Sequence, residues 1–136
     1  MADTFLFQLV SPERLLVETQ VTEVQIPARE GYIGVLPGHA PLLSELSAGG
    51  VLTYTANGAQ QVVAVYGGFV EVLPDCVRVL ADLAERKEEI DVTAARAQLQ
   101  EAMKEIDEMH AGAADPAVAL DQAMRAQARV DAATKH

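Results

Sequence analysis

The sequence holds a single cysteine, no tryptophan and only six aromatic residues, three tyrosines and three phenylalanines. One cysteine, Cys76, excludes an intrachain disulfide and a cysteine cluster for zinc. It lies in the apolar run "CVRVLADL" and reads as a buried strand residue rather than a reactive thiol. Positive charge is also scarce. Ten Lys and Arg stand against twenty Asp and Glu, a formal net charge of −10. Such a chain repels phosphate backbones and anionic lipid surfaces, which excludes nucleic acid as a partner. The charge is spread, with nine acids and three bases over residues 1–83 and eleven acids and seven bases over 84–136, so no charged tail stands out.

No run approaches the roughly 18 apolar residues of a membrane span. The start, "MADTFLFQLV", has an acid where a signal peptide places Lys or Arg. The expectation is a cytoplasmic protein that reaches a membrane only through a partner. The three histidines, His39, His110 and His136, are not at metal-ligand spacing with one another or with acids. There is no GxGxxG opening a helix, no GxxxxGK[ST] and no GxSxG. The residues offer no nucleophile–base pair and no shielded carboxylate pair, so they point to a non-catalytic interaction protein.

Half of the 136 residues are hydrophobic, enough for one domain with a true core, alone or with an appendage. From Thr4 to about Leu83 the chain reads as short strands. "TFLFQLV" and "LLVETQVTEVQI" are rich in β-branched and aromatic residues, with Val21, Val24 and Ile26 in near-alternation. "VLTYTA" meets Asn57-Gly58, a two-residue hairpin signal, and then "QQVVAVYGGFVEVLP", where Val63, Val65, Phe69 and Val70 predict a core face. Gly67-Gly68 permits a bend or a close backbone approach. Strands every eight to twelve residues predict an antiparallel sandwich or flattened barrel.

After "AERKEE", which reads as a charged bridge, the period changes. Val92, Ala95, Leu99, Ala102, Ile106 and Met109 recur at steps of three and four, one stripe on a helix capped by Asp91. "AGAAD" interrupts it. Asp115-Pro116 then begins a second helix running to about Ala133, with Leu120, Met124 and Val130 as its larger apolar residues. Its inward positions are mostly alanine, and Gln127 falls near the seam. Each methylene missing relative to leucine forfeits about 0.8 kcal/mol, so the hairpin is expected to pack only marginally on itself. The division is a β-sandwich over 1–84 and a helical hairpin over 85–136.

The stretch "GYIGVLPGHAPLL", Gly31 to Leu43, has three glycines, two prolines and a histidine among apolar residues, which suits a stiff, sharply turning segment. His39 reads as a turn residue bonded to local backbone. Val35, Leu36, Leu42 and Leu43 read as a plug for the sandwich floor. Together with "LVSPE" at Leu9–Glu13, "GGFVEV" at Gly67–Val72, "VRVLAD" at Val77–Asp82 and "AERKEEID", this segment resembles the epsilon subunits of bacterial F-type ATP synthases.

The resemblance implies a ten-stranded β-sandwich followed by two helices. It implies a non-catalytic subunit at the foot of the central stalk, on the cytoplasmic face of the membrane, that turns with the gamma subunit on the rotor ring of c subunits and couples proton flow to ATP synthesis. On that analogy Glu30, Gly31, Tyr32 and His39 face the ring. The hairpin either lies folded beside the sandwich or extends into the alpha/beta catalytic hexamer to inhibit hydrolysis, with Arg125 and Arg129, one turn apart, making charge-assisted contacts there; the bland alternative pairs both with local acids such as Asp121. Some members of the family bind ATP between the folded helices through Ile/Leu-Asp, two residues, then Arg-Ala. Here Asp91, Arg125, Arg129 and Glu85 match plausible contacts. Ala94, however, stands where the motif has arginine, and Arg96 comes two residues late, rotated by about 200° around the helix. No other cofactor is implied. The remaining readings are a free-standing sandwich that cups a small ligand and a hydrolase with an unrecognised site.

Overall fold

The computed structural model describes residues 3–109 and 115–135, the side chain of Met109 apart. His110, His136 and the expected glycine-bearing loop at 111–114 lie outside the described residues. Ten strands come first: β1 (Phe5–Val10), β2 (Leu15–Val21), β3 (Glu23–Ala28), β4 (Gly31–Val35), β5 (Leu42–Glu45), β6 (Gly50–Ala56), β7 (Ala59–Val65), β8 (Gly68–Val72), β9 (Cys76–Ala81) and β10 (Ala84–Arg86). Two helices follow, α1 (Val92–Met109) and α2 (Pro116–Thr134). One sheet has the order β2-β1-β9-β8-β5 and the other β10-β7-β6-β3-β4. Pairing is antiparallel except between β1 and β9, which run parallel.

Alternation builds the core. Phe5, Phe7 and Leu9 point inward from β1, and Leu6, Gln8 and Val10 stand half-buried on the outer face. Val21, Val24 and Ile26 are fully buried. Their odd spacing arises because the chain bends at Thr22 and passes from one sheet to the other. Phe7 sits at the centre with its ring 5.2 Å from that of Tyr54.

Another crossing between the sheets occurs at Gly67-Gly68. Gly68 has φ +123°, and a Cβ there would lie 2.1 Å from the Leu80 carbonyl oxygen, so only glycine fits. The crossing changes which parity faces inward: odd residues Val63 and Val65 before it, even residues Val70 and Val72 after it. Phe69, expected in the core, is therefore turned to the outer face, 51% exposed. Leu36, Leu42 and Leu43 likewise do not plug the floor. Leu36 lies past the end of β4, and Leu43 pairs with Glu71 on the outer face; only Val35 of that group is buried. Cys76 occupies the outer face of β9, half-buried, with its Sγ 3.9 Å from Gln8 Oε1. The expected charged bridge opens with strand β10, because Ala84 fills an inward position and the residues pair with β7.

Asp91 caps α1, accepting from the Ala94 N–H at 3.1 Å, and Asp115 caps α2 through the Ala117 N–H at 2.9 Å with Pro116 behind it. On α1, Ala95 and Ala102 are buried and Val92, Leu99 and Ile106 half-buried. On α2 the buried positions are Ala119, Ala126, Ala128 and Ala132, while Leu120 and Met124 face solvent. Gln127 is away from the seam, its Nε2 donating to Asp131 Oδ1 at 2.8 Å. Helix α2 lies on β6 and β7 as well as on α1. Ala128 and Ala132 join Ala95 and Ile90 over Val62, Ala64 and Tyr66, a second apolar cluster outside the sandwich. The approach is close enough that a Cβ on Gly49 would stand 2.6 Å from the Met124 carbonyl oxygen.

Phe7→Ala is expected to lower stability by about 3–5 kcal/mol, read as a shift of the urea unfolding midpoint at unchanged slope.

Candidate functional site

The second sheet's edge strand, β10, sets Glu85 opposite Ala64 on the outer face, beside Tyr66 and under α2. Tyr66 Oη donates to Glu85 Oε1 at 2.7 Å. Arg129 Nε donates to the same oxygen at 2.9 Å, and Arg129 Nη2 donates to Glu85 Oε2 at 3.1 Å. The remaining Arg129 Nη1 donates to Gln98 Oε1 on α1 at 2.7 Å. One guanidinium thus joins the sandwich and both helices. The Glu85 and Arg129 side chains keep only 24% and 21% of their exposure. Burial first, and the bond to Glu85 second, push the Tyr66 phenol well above its ordinary value. The Glu85 carboxylate likewise raises Arg129.

This network borders a groove of about 760 Å³ between the helices and the sandwich. Its rim carries Arg14 Nη2 at 2.8 Å from Glu89 Oε1; that bond, with the Arg86 N–H, holds the Glu89 carboxyl below the usual range. Five carboxylates (Glu13, Glu85, Glu89, Glu101, Glu105) line the groove against three guanidiniums (Arg14, Arg125, Arg129). Of the residues singled out for ATP, Glu85, Arg125 and Arg129 meet here. Asp91 does not line the groove and is occupied as the α1 cap, while Ala94 contributes no charge and Arg96 lies elsewhere. A nucleoside triphosphate would meet an excess of carboxylates and an arginine already committed to one of them. The residues present do not fit ATP. Arg125 forms no ion pair among the described residues.

The other sequence candidates lie on the second sheet. Glu30 and Gly31 form the exposed turn between β3 and β4, next to the Arg29–Glu45 ion pair at 2.7 Å. Tyr32 is 61% exposed, and its Oη accepts from the Val51 N–H at 3.3 Å. His39 sits in the loop after β4, with its N–H donating to Leu36 O at 3.1 Å and its Nδ1 2.6 Å from Ala40 O. Glu30 and His39 therefore lie beyond opposite ends of a five-residue strand, whose own end residues are about 13 Å apart. Glu30, Gly31 and Tyr32 come together; His39 does not join them.

Sequence reasoning missed an apolar outer face on the first sheet. Phe69 pairs with Leu80, and Leu80 with Val10, in one row across β8, β9 and β1, with Leu43 diagonal to it on β5. Leu43 is 70% and Leu80 42% exposed. The signal was present in the two glycines at 67–68, which reverse the inward parity. Among the described residues no group of His, Cys, Asp and Glu is arranged to hold a metal, and no helix is long and apolar enough to cross a membrane.

The family model described as ATP synthase, Delta/Epsilon chain, beta-sandwich domain matches residues 4–87. The ATP synthase epsilon chain of Solibacter usitatus is 53% identical over 135 residues, 99% of each chain. That of Moorella thermoacetica is 44% identical over 126 residues, 93% of each. Among solved structures, a chain of the Euglena gracilis mitochondrial ATP synthase, OSCP/F1/c-ring in rotational state 1, superposes with a TM-score of 0.74 at 23% identity, covering 95% of this chain and 79% of that one. At that identity the likeness shows the fold.

A phenol raised above its unfolded value stabilises the fold fully below that value, about 10, and loses the contribution as pH climbs past it. Urea midpoints are expected to fall above pH of about 10, and Tyr66→Phe to reduce that fall; burial raises Tyr54 too and adds to it.

Proposed function

The chain belongs to the ATP synthase delta/epsilon family, and on that premise we propose that it is the non-catalytic rotor subunit of a proton-driven ATP synthase, part of the central stalk on the cytoplasmic face of a bacterial plasma membrane. The observation that carries this reading is a sandwich whose interior is filled by side chains such as Phe7, Leu9, Ile26 and Leu52, and whose apolar surplus faces outward at Leu43, Phe69 and Leu80. Such a body docks; it does not cup a metabolite. The fold is shared with chains of mitochondrial ATP synthases solved together with a c-ring, which agrees with a place in the stalk.

In this reading the outer face of the first sheet seats the gamma subunit. The turn bearing Glu30 and Gly31, with Tyr32 beside it, meets the polar loops of the ring. His39 marks the opposite end of β4 and makes a separate contact. Two sheets locked over one core suit torque transmission, because a close-packed interior has low compressibility and passes strain on. The helical arm inhibits hydrolysis by leaving the sandwich and entering the alpha/beta hexamer, where Arg125 and Arg129 meet acidic segments. Arg129 must first give up Glu85 to do so.

Phe69→Asp with Leu80→Asp is expected to abolish co-purification with gamma while the circular dichroism of the chain stays unchanged; retained binding would remove the outer face from the interface. Removing residues after Asp115 is expected to raise ATP hydrolysis by the reconstituted head several-fold, and unchanged hydrolysis would end the inhibitory reading.

A further inference from the structure

We propose that Glu85, Tyr66, Arg129 and Gln98, together with the backbone seat at Gly49, form an intramolecular clasp that holds the helical hairpin on the sandwich without any nucleotide. The inference rests on the reading of the tail as a movable arm, and it adds what keeps that arm down.

The apolar contribution to the closed state is thin, because every fully buried side chain on α2 is alanine. The polar contribution is concentrated. Glu85 receives both arms of the Arg129 fork, and Tyr66 fixes the carboxylate from the side of the sheet. Paired donors on paired acceptors make this a directional contact that lysine cannot reproduce. It is also the least exposed of the four ion pairs formed among the described residues. Arg29–Glu45 stands at 73% and 44% exposure and Arg14–Glu89 at 46% and 38%, where solvent screens them.

The second point of the clasp is steric. A Cβ at Gly49 would stand 2.6 Å from Met124 O and 2.8 Å from Arg125 Cα, so a side chain there lifts the helix. From Met124 to Arg129 is five residues, about 7.5 Å along the axis, so seat and ion pair act on adjacent turns of α2. The contact is reversible. When α2 lifts, Tyr66 still donates to Glu85 on the sandwich and Arg129 returns to water, so neither charge is stranded in an apolar site. A nucleotide is not the adhesive, because the groove's carboxylates outnumber its guanidiniums and Arg129 is already taken.

Hydrogen exchange on the full chain tests this, comparing α2 amides at Ala126–Ala132 with β7 amides at Val62–Val65. Glu85→Gln and Arg129→Lys are each expected to speed α2 exchange about tenfold and leave β7 unchanged, and Gly49→Ala to act in the same direction. Millimolar ATP added to the unmodified chain is expected to change neither. Unaltered α2 exchange in both polar variants overturns the clasp, as does ATP slowing α2 several-fold. Should Gly49→Ala also loosen β7, the two polar variants decide the matter. The outcome is independent of hydrolysis by the assembled head, so the clasp and the inhibitory arm fail separately.

Discussion

Strand β7 is apolar on both sides, and that obliges the rest of the molecule to supply two covers. Val63 and Val65 close the sandwich interior; Val62, Ala64 and, just past the strand, Tyr66 face outward. A strand buried on both faces is ordinarily roofed by a helix, and here α2 is the roof. Because the roof is made of alanines, it approaches very closely, to the point that Gly49 is compulsory beneath it. Close approach and small side chains go together: the helix gains backbone proximity and forfeits the hydrophobic area that longer residues would bury.

That trade explains the polar network at the same junction. With little apolar surface to hold α2, a single arginine links Glu85 on β10 to Gln98 on α1, and Tyr66 aligns the acceptor from below. Apolar contacts scale with area and resist opening gradually, whereas a forked ion pair is either formed or broken. An element that must stay put in one state and leave in another is served by few, directional contacts. The sandwich follows the opposite rule. Its core is continuous from Phe5 to Ala84 and has no comparable seam.

Much of this was legible in the residues. Alternation in "TFLFQLV" and the Asn57-Gly58 turn gave strands, and Asp91, Asp115 and Pro116 gave helix starts where the caps form. The errors share a cause. Phe69, Leu36, Leu42, Leu43 and Cys76 are apolar residues in or beside strands, and composition alone says they belong inside. Which face a strand residue takes depends on how many residues the chain spends in each crossing; Gly67-Gly68 shifts that count for Phe69, whereas Leu36 lies past the end of β4 and Leu42 and Leu43 belong to the edge strand β5. Glu85 and Arg129 were singled out by resemblance, yet their mutual contact joins residues 44 apart in sequence and leaves no periodic trace. Sequence periodicity suggests only marginal packing of α2 on α1, yet α1 is the main neighbour of α2; that α2 also rests on β6 and β7 required the sheet's outer face to be known.

The parallel pairing of β1 with β9 has a consequence for synthesis. Phe7 lies opposite Val77, seventy residues downstream, while β2 on the other flank is available at once. The β1–β2 pairing is local in sequence, whereas the other edge of β1 has no partner until β9 has been made. Completion of the first sheet is thus a late, non-local event, and the helices are translated after it. Every strand of the sheet that α2 covers precedes α2 in the chain, so the foundation is translated before its lid.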